Sequence, residues 1–124
     1  MQSEDLFAPS AAGCVFVRRW PVEGSGRAPI VLLHDSLGRV AQWRDFPSKL
    51  AQATSREVIA YDRLGFGRSD PHPGRLALDF IHTEAHSAFA ALCQQLNLAH
   101  CALLGHSVGG AMAAVCAAEF PAIC

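Results

Sequence analysis

The chain has 124 residues and a formal net charge of −1, with 51% hydrophobic and 17% charged residues. That length suits one domain with a core of its own, and such an apolar composition excludes a disordered chain. Ten basic residues are scattered rather than grouped, which removes the electrostatic case for a nucleic-acid or anionic-membrane partner.

Residues 1–13 show little periodicity and read as a loose leader, so the domain is expected to occupy residues 14–124. Residues 14–20 (Cys-Val-Phe-Val-Arg-Arg-Trp) are β-rich and end at Pro21, a strand signature. After a Gly24-Ser25-Gly26 turn, residues 29–34 form a continuous apolar run ending in His34, the pattern of a parallel strand covered on both faces. Between residues 40 and 53, Trp43, Phe46, Leu50 and Ala53 fall at helical spacing, with Pro47 tolerable only in a first turn or at a break.

Residues 57–61 predict a second short buried strand, followed by a glycine-rich loop over 62–73. Leu78, Ile81, Ala85, Phe89, Leu92 and Leu96 then mark one face of a single long helix. Residues 101–104 predict a third buried strand, and the alanine-rich stretch 108–120 a helix. Strand and helix alternate with short connections, so the fold class is α/β with a mostly parallel sheet flanked by helices.

Five cysteines (Cys14, Cys93, Cys101, Cys116, Cys124) show neither a C-x-x-C pair nor metal-ligand spacing. They read as reduced thiols, four of them as small buried hydrophobes, in a cytoplasmic protein. The acidic start Met1-Gln2-Ser3-Glu4-Asp5 does not resemble a secretory signal. The apolar stretch near the end is broken by His106, Ser107, Gly109, Gly110, Glu119 and Pro121, so no membrane partner is expected.

Gly105-His106-Ser107-Val108-Gly109 matches G-x-S-x-G, with a predicted strand before it and a predicted helix after it. A sharp strand-to-helix turn lifts a serine hydroxyl clear of the sheet, and glycines two positions either side relieve the crowding. The helix start turns N–H groups toward the site, where they favour a developing oxyanion. The bland alternative is a glycine-rich helix entry with Ser107 as N-cap. Two further motifs stand in order before it: His34-Asp35-Ser36-Leu37-Gly38 after the first buried strand, and Asp62-Arg63-Leu64-Gly65-Phe66-Gly67-Arg68-Ser69-Asp70 after the second.

In these three motifs the sequence resembles the serine α/β-hydrolase superfamily, in particular its esterase, C–C hydrolase and proline-iminopeptidase members. They show H-G-x-x-G, D-x-x-G-x-G-x-S and G-x-S-x-G in this order, and the likeness runs from about Cys14 to the end. The resemblance implies Ser107 as nucleophile, with Gly105 and Gly109 shaping the elbow. The oxyanion donors would be the backbone N–H groups of Val108 and of Ser36, or failing that Leu37. His34 would brace the oxyanion loop, while Asp62 and Ser69 would satisfy backbone groups in a structural loop. No metal or organic cofactor is implied. The family's glycine after the histidine is Asp35 here, and a carboxylate at that place opposes an oxyanion unless it is turned away or paired.

The family orders its triad as serine, acid, histidine, and after Ser107 this chain offers Glu119 but no histidine. Glu119 lies too far along the nucleophile helix to reach the hydroxyl. His106 is expected to pack or hydrogen-bond structurally. The stretch His82-Thr83-Glu84-Ala85-His86 puts two histidines on one helix face, but without a third ligand it reads as a solvated face rather than a zinc site. Neither the acid nor the histidine of the triad is therefore expected in this chain, which reads as a partial hydrolase fold truncated after the nucleophile helix.

The functional expectation is a serine hydrolase acting on a small-molecule ester, thioester, amide or related carbonyl substrate, incomplete here. The alternative is a non-catalytic ligand-binding or interaction module that keeps the half-sheet. A triad completed by a second polypeptide is a third possibility. The last strand, lacking a further neighbour, is expected to be an apolar edge that invites self-association.

Overall fold

The computed structural model describes residues 2–76 and 78–124. Its elements are β1 (Glu4–Ser10), β2 (Gly13–Trp20), β3 (Ile30–Leu33), a 3-10 turn (Val40–Trp43), α1 (Phe46–Thr54), β4 (Val58–Tyr61), α2 (Phe80–His86), α3 (Ala88–Gln95), β5 (Ala102–Gly105) and α4 (Val108–Glu119). The five strands form one mixed sheet in the order β1-β2-β4-β3-β5. β3 runs parallel to both β4 and β5, as the apolar runs predict, whereas β2 is antiparallel to both β1 and β4.

Every residue of β3 and β4 is buried, because helices cover both sheet faces. The period of two divides their side chains between two cores. Val31, Leu33, Ile59 and Tyr61 join Phe89, Leu92, Met112 and Cys116 under α2, α3 and α4. Ile30, Leu32, Val58 and Ala60 face the other way with Phe16, Trp20 and Ala51 under α1. Pro47 sits in the first turn of α1, where its missing N–H costs nothing.

Three expectations need correction. Residues 4–10 are not a loose leader: they form β1, a hairpin partner of β2 with Phe7 opposite Phe16 and ring centroids 5.5 Å apart. Asp5 accepts two hydrogen bonds from the Arg18 guanidinium, at 2.7 and 3.1 Å, which holds its carboxyl below the usual range.

The single long helix is two helices. Ser87 has φ −116° and ψ −102°, outside the helical region, and separates α2 from α3. Ile81, Ala85, Phe89, Leu92 and Leu96 do face the core, but Leu78 precedes α2 and is fully exposed.

The third strand is not buried as the other two are. Ala102 is exposed and the rest of β5 half-buried, because β5 ends the sheet among the described residues. No helix among the described residues is long and apolar enough to cross a membrane. Cys93, Cys101 and Cys116 are buried thiols, Cys124 is half-buried and Cys14 exposed; none is in a disulfide.

Candidate active site

Ser107 stands between the end of β5 and the start of α4 with φ 57° and ψ −122°. A non-glycine residue pays strain of about 1–3 kcal/mol in such a region, so surrounding structure must impose it. The flanking glycines show how. A Cβ on Gly105 would run into the Gly109 carbonyl, and one on Gly109 would strike the Leu33 carbonyl oxygen and lie 2.6 Å from that of His34. β5, α4 and the end of β3 therefore meet at backbone contact, and only glycine lets the turn close. Ser107 makes no capping hydrogen bond from its side chain, which sets aside the helix N-cap reading, and it is exposed.

The start of α4 leaves one N–H unengaged. Gly109 N–H donates to His106 O at 3.0 Å and Gly110 N–H to Ser107 O at 2.9 Å, whereas Val108 N–H has no acceptor among the described residues. The second loop, residues 34–38, is held from below. Arg63 is buried and donates to His34 O at 2.6 Å and Asp35 O at 2.7 Å. His34 Nε2 accepts the Arg63 N–H at 3.1 Å, so the proton resides on Nδ1, which donates to Asp35 O at 2.7 Å. Burial, and then the adjacent guanidinium, push His34 down to about 4 and keep it neutral.

This brace orients the next peptide. Asp35 C=O points into the buried cluster, and in a trans peptide the following N–H points the opposite way. Ser36 N–H is thereby turned away from the core, and the Ser36 and Leu37 side chains are exposed.

The two Asp35 carboxylate oxygens have different surroundings. One carboxylate oxygen, Oδ1, tucks against Gly38, where a Cβ would collide with it, and it is buried without a partner. The other stands 3.6 Å from His106 Nδ1. The carboxylate that stands in place of the family's glycine thus has one oxygen packed against Gly38 and the other beside the residue that precedes Ser107.

The loop over residues 62–70 is structural. Asp62 accepts the Val40 N–H at 2.6 Å and the Arg68 N–H at 2.9 Å. Ser69 Oγ accepts the Phe16 N–H at 2.8 Å and donates to Asp62 O at 2.5 Å, and Asp70 accepts the Cys14 N–H at 2.7 Å. The first helix turn, β2 and this loop are tied to one another through three short side chains.

Ser107 Oγ makes no hydrogen bond among the described residues. His34 has both nitrogens engaged, and Glu119 lies at the far end of α4, 3.3 Å from His86. His82 and His86 are exposed, as a solvated face requires, but Glu84 between them is not. It is buried, accepts the Tyr61 hydroxyl at 2.6 Å, and its carboxyl is raised by burial. The expectation of a solvated face fails at this residue because Glu84 falls on the side of α2 that carries Ile81 and Ala85 into the core. Sequence reasoning missed Arg63, which falls on an unspecified position of D-x-x-G-x-G, and the Tyr61–Glu84 and Asp35–His106 pairs had no local signal.

A profile of the family described as "alpha/beta hydrolase fold" matches residues 28–124. The chain belongs to this family. The α/β-hydrolase chain is 32% identical over 100 residues to the sn-1-specific diacylglycerol lipase ABHD11 of Danio rerio, covering 80% of this chain and 30% of the lipase. It is 35% identical over 94 residues to a proline iminopeptidase of Lactobacillus crispatus, covering 73% of this chain and 31% of the peptidase. The chain spans about a third of the length of these curated relatives. Among solved structures, a predicted CIB-like hydrolase from Thermoplasma acidophilum superposes with a TM-score of 0.83 at 23% identity, covering 99% of this chain and 59% of that one. At that identity the likeness speaks for the fold alone.

Proposed function

We propose that this α/β-hydrolase segment carries the nucleophile and oxyanion cradle of a serine hydrolase. Ser107 Oγ attacks the carbonyl carbon of an ester, thioester, amide or related small-molecule substrate. Its proton passes to a base, and the tetrahedral oxyanion is received by the N–H groups of Val108 and Ser36, with Leu37 the neighbouring candidate. Collapse expels the leaving group, and water later releases the acyl group from Ser107. The acid and histidine are supplied from outside these 124 residues. The reading rests above all on one observation, the positive φ of Ser107 enforced by the backbone contacts of Gly105 and Gly109. A lipase and an iminopeptidase among the relatives support a carbonyl substrate in the ester-to-amide range. The free thiols support a reducing, cytoplasmic setting.

The test uses a fluorophosphonate probe and intact mass. In the 124-residue chain, labelling is expected to be slow, confined to Ser107, absent in Ser107→Ala, and accelerated severalfold by added imidazole acting as external base. A folded chain that fails to label even with imidazole would overturn the reading. Rapid labelling without imidazole would refute the statement that the base lies elsewhere.

The second reading is a binding or interaction module without catalysis, favoured by the unengaged Ser107 hydroxyl and by the open edge of β5. The exposed edge also supports self-association between copies of the chain.

A further inference from the structure

A cavity of about 340 Å³ lies on the α2 and α4 side of the sheet, beside the oxyanion loop. Leu64, Phe66, Leu76, Phe80 and Met112 are among its apolar lining residues, and Ser36, the second proposed oxyanion donor, lines it too. A site of this size and apolar character fits a small organic group. Polar groups also line it, among them Arg63, His72, Arg75 and Thr83, and the only carboxyl of the lining among the described residues is that of Glu84, which is buried.

Glu84 Oε2 is occupied by the Tyr61 hydroxyl, at 2.6 Å. Oε1 has no partner among the described residues, and unlike Asp35 Oδ1 it is not sealed off. A buried carboxyl oxygen is costly to leave unmatched. An occupant bearing a hydrogen-bond donor would satisfy it. Arg63 lines the same cavity, so a cationic group there would meet a fixed positive charge, and a neutral donor is the better match.

We propose that this cavity is a substrate subsite which receives an apolar arm carrying a hydroxyl group, read by Glu84 Oε1. The carbonyl would sit at Ser107 while the arm passes Ser36 into the cavity. Glu84 is then a specificity determinant rather than a catalytic residue. Describing the occupant as a substrate arm rests on the serine-hydrolase reading; the preference for a hydroxyl-bearing group does not.

The experiment compares benzyl alcohol with benzyl methyl ether on the ¹⁵N-labelled 124-residue chain, following amide shifts in two-dimensional NMR. Both probes are expected to shift Leu64, Phe80 and Met112, with the alcohol binding about tenfold more tightly, the ratio one satisfied hydrogen bond can give. The double variant Tyr61→Phe/Glu84→Leu removes both partners and leaves no orphaned hydroxyl. It should still fold, bind both probes and show no preference. Leu76→Trp, filling the cavity, should abolish binding of both.

Equal affinities in the wild-type chain, an alcohol preference that survives the double variant, or shifts that map elsewhere would each overturn the proposal. Labelling at Ser107 is scored separately. Saturating alcohol should slow imidazole-assisted labelling, and unaltered labelling would refute the assignment as a substrate arm. If Ser107 never labels, the hydrolase reading fails while the alcohol preference still decides whether Glu84 reads a hydroxyl.

Discussion

Asp35 Oδ2 stands 3.6 Å from His106 Nδ1, joining the loop after β3 to the residue just before Ser107. Both side chains are partly exposed, at 35% and 68%, so the pair contributes little to stability. Its consequence is electrostatic: a negative charge is parked beside the place where the proposed oxyanion forms.

Replacing that carboxylate should therefore speed the chemistry. Asp35→Gly is expected to raise the rate of imidazole-assisted labelling at Ser107 severalfold, read as a time course of intact mass. An unchanged or lower rate would mean that the carboxylate does not oppose the developing anion.

The elbow predicts opposite stability effects at neighbouring positions. Gly105→Ala and Gly109→Ala force a methyl into backbone atoms and should each lower stability by on the order of 3 kcal/mol in urea titrations. Ser107→Gly should raise it by about 1 kcal/mol, because glycine accepts φ 57° without strain. If Ser107→Gly instead lowered stability, the strain assigned to the elbow would be mistaken.

His34 makes stability depend on pH. Its folded value, about 4, lies below the unfolded value of 6.5, so the unfolded chain takes up the proton first as pH falls. The stabilisation is whole above pH 6.5 and is lost progressively down to about pH 4, amounting to roughly 3 kcal/mol. Glu84 works in the other direction. Its raised carboxyl lets the folded chain hold a proton longer, which adds stability on acidification and removes it as pH climbs above the unfolded value of 4.5. Urea midpoints between pH 7 and pH 4 should fall in the wild-type chain and fall much less in His34→Asn. Parallel curves for the two proteins would rule out His34 as the source.

The edge of β5 predicts concentration-dependent assembly. Sedimentation should show the wild-type chain forming dimers or larger species, and Ala102→Lys, which plants a charge on the exposed edge, should shift it toward monomer. A wild-type chain that stays monomeric at all concentrations would sink this expectation.

Much of the architecture was legible because burial on both faces writes continuous apolar runs, as in β3 and β4, and because the elbow requires glycine at 105 and 109. What stayed hidden depends on backbone angles or distant partners. The apolar period runs straight through Ser87, since side-chain spacing carries no record of one residue leaving the helical region. Glu84 looked solvated because a charge on a helix is normally exposed, and only Tyr61, 23 residues earlier, makes its burial tolerable. β1 was obscured by its acidic start and by Pro9, both acceptable on an edge strand. At the candidate site, the turn that carries Ser107 and both loops could be read locally. The bracing role of His34 was implied by the resemblance, but its partner Arg63 could not be read, because the two positions lie 29 residues apart.

Both proposed anion donors are main-chain groups, and the peptide carrying the Ser36 N–H is oriented by contacts to the Asp35 carbonyl rather than by the Ser36 side chain. The side chains at 36 and 37 are thus released from the chemistry they border. If the proposed function holds, substitutions there would reshape what approaches Ser107 while the donor stays in place, so selectivity could drift or be engineered at these positions without moving the proposed donor.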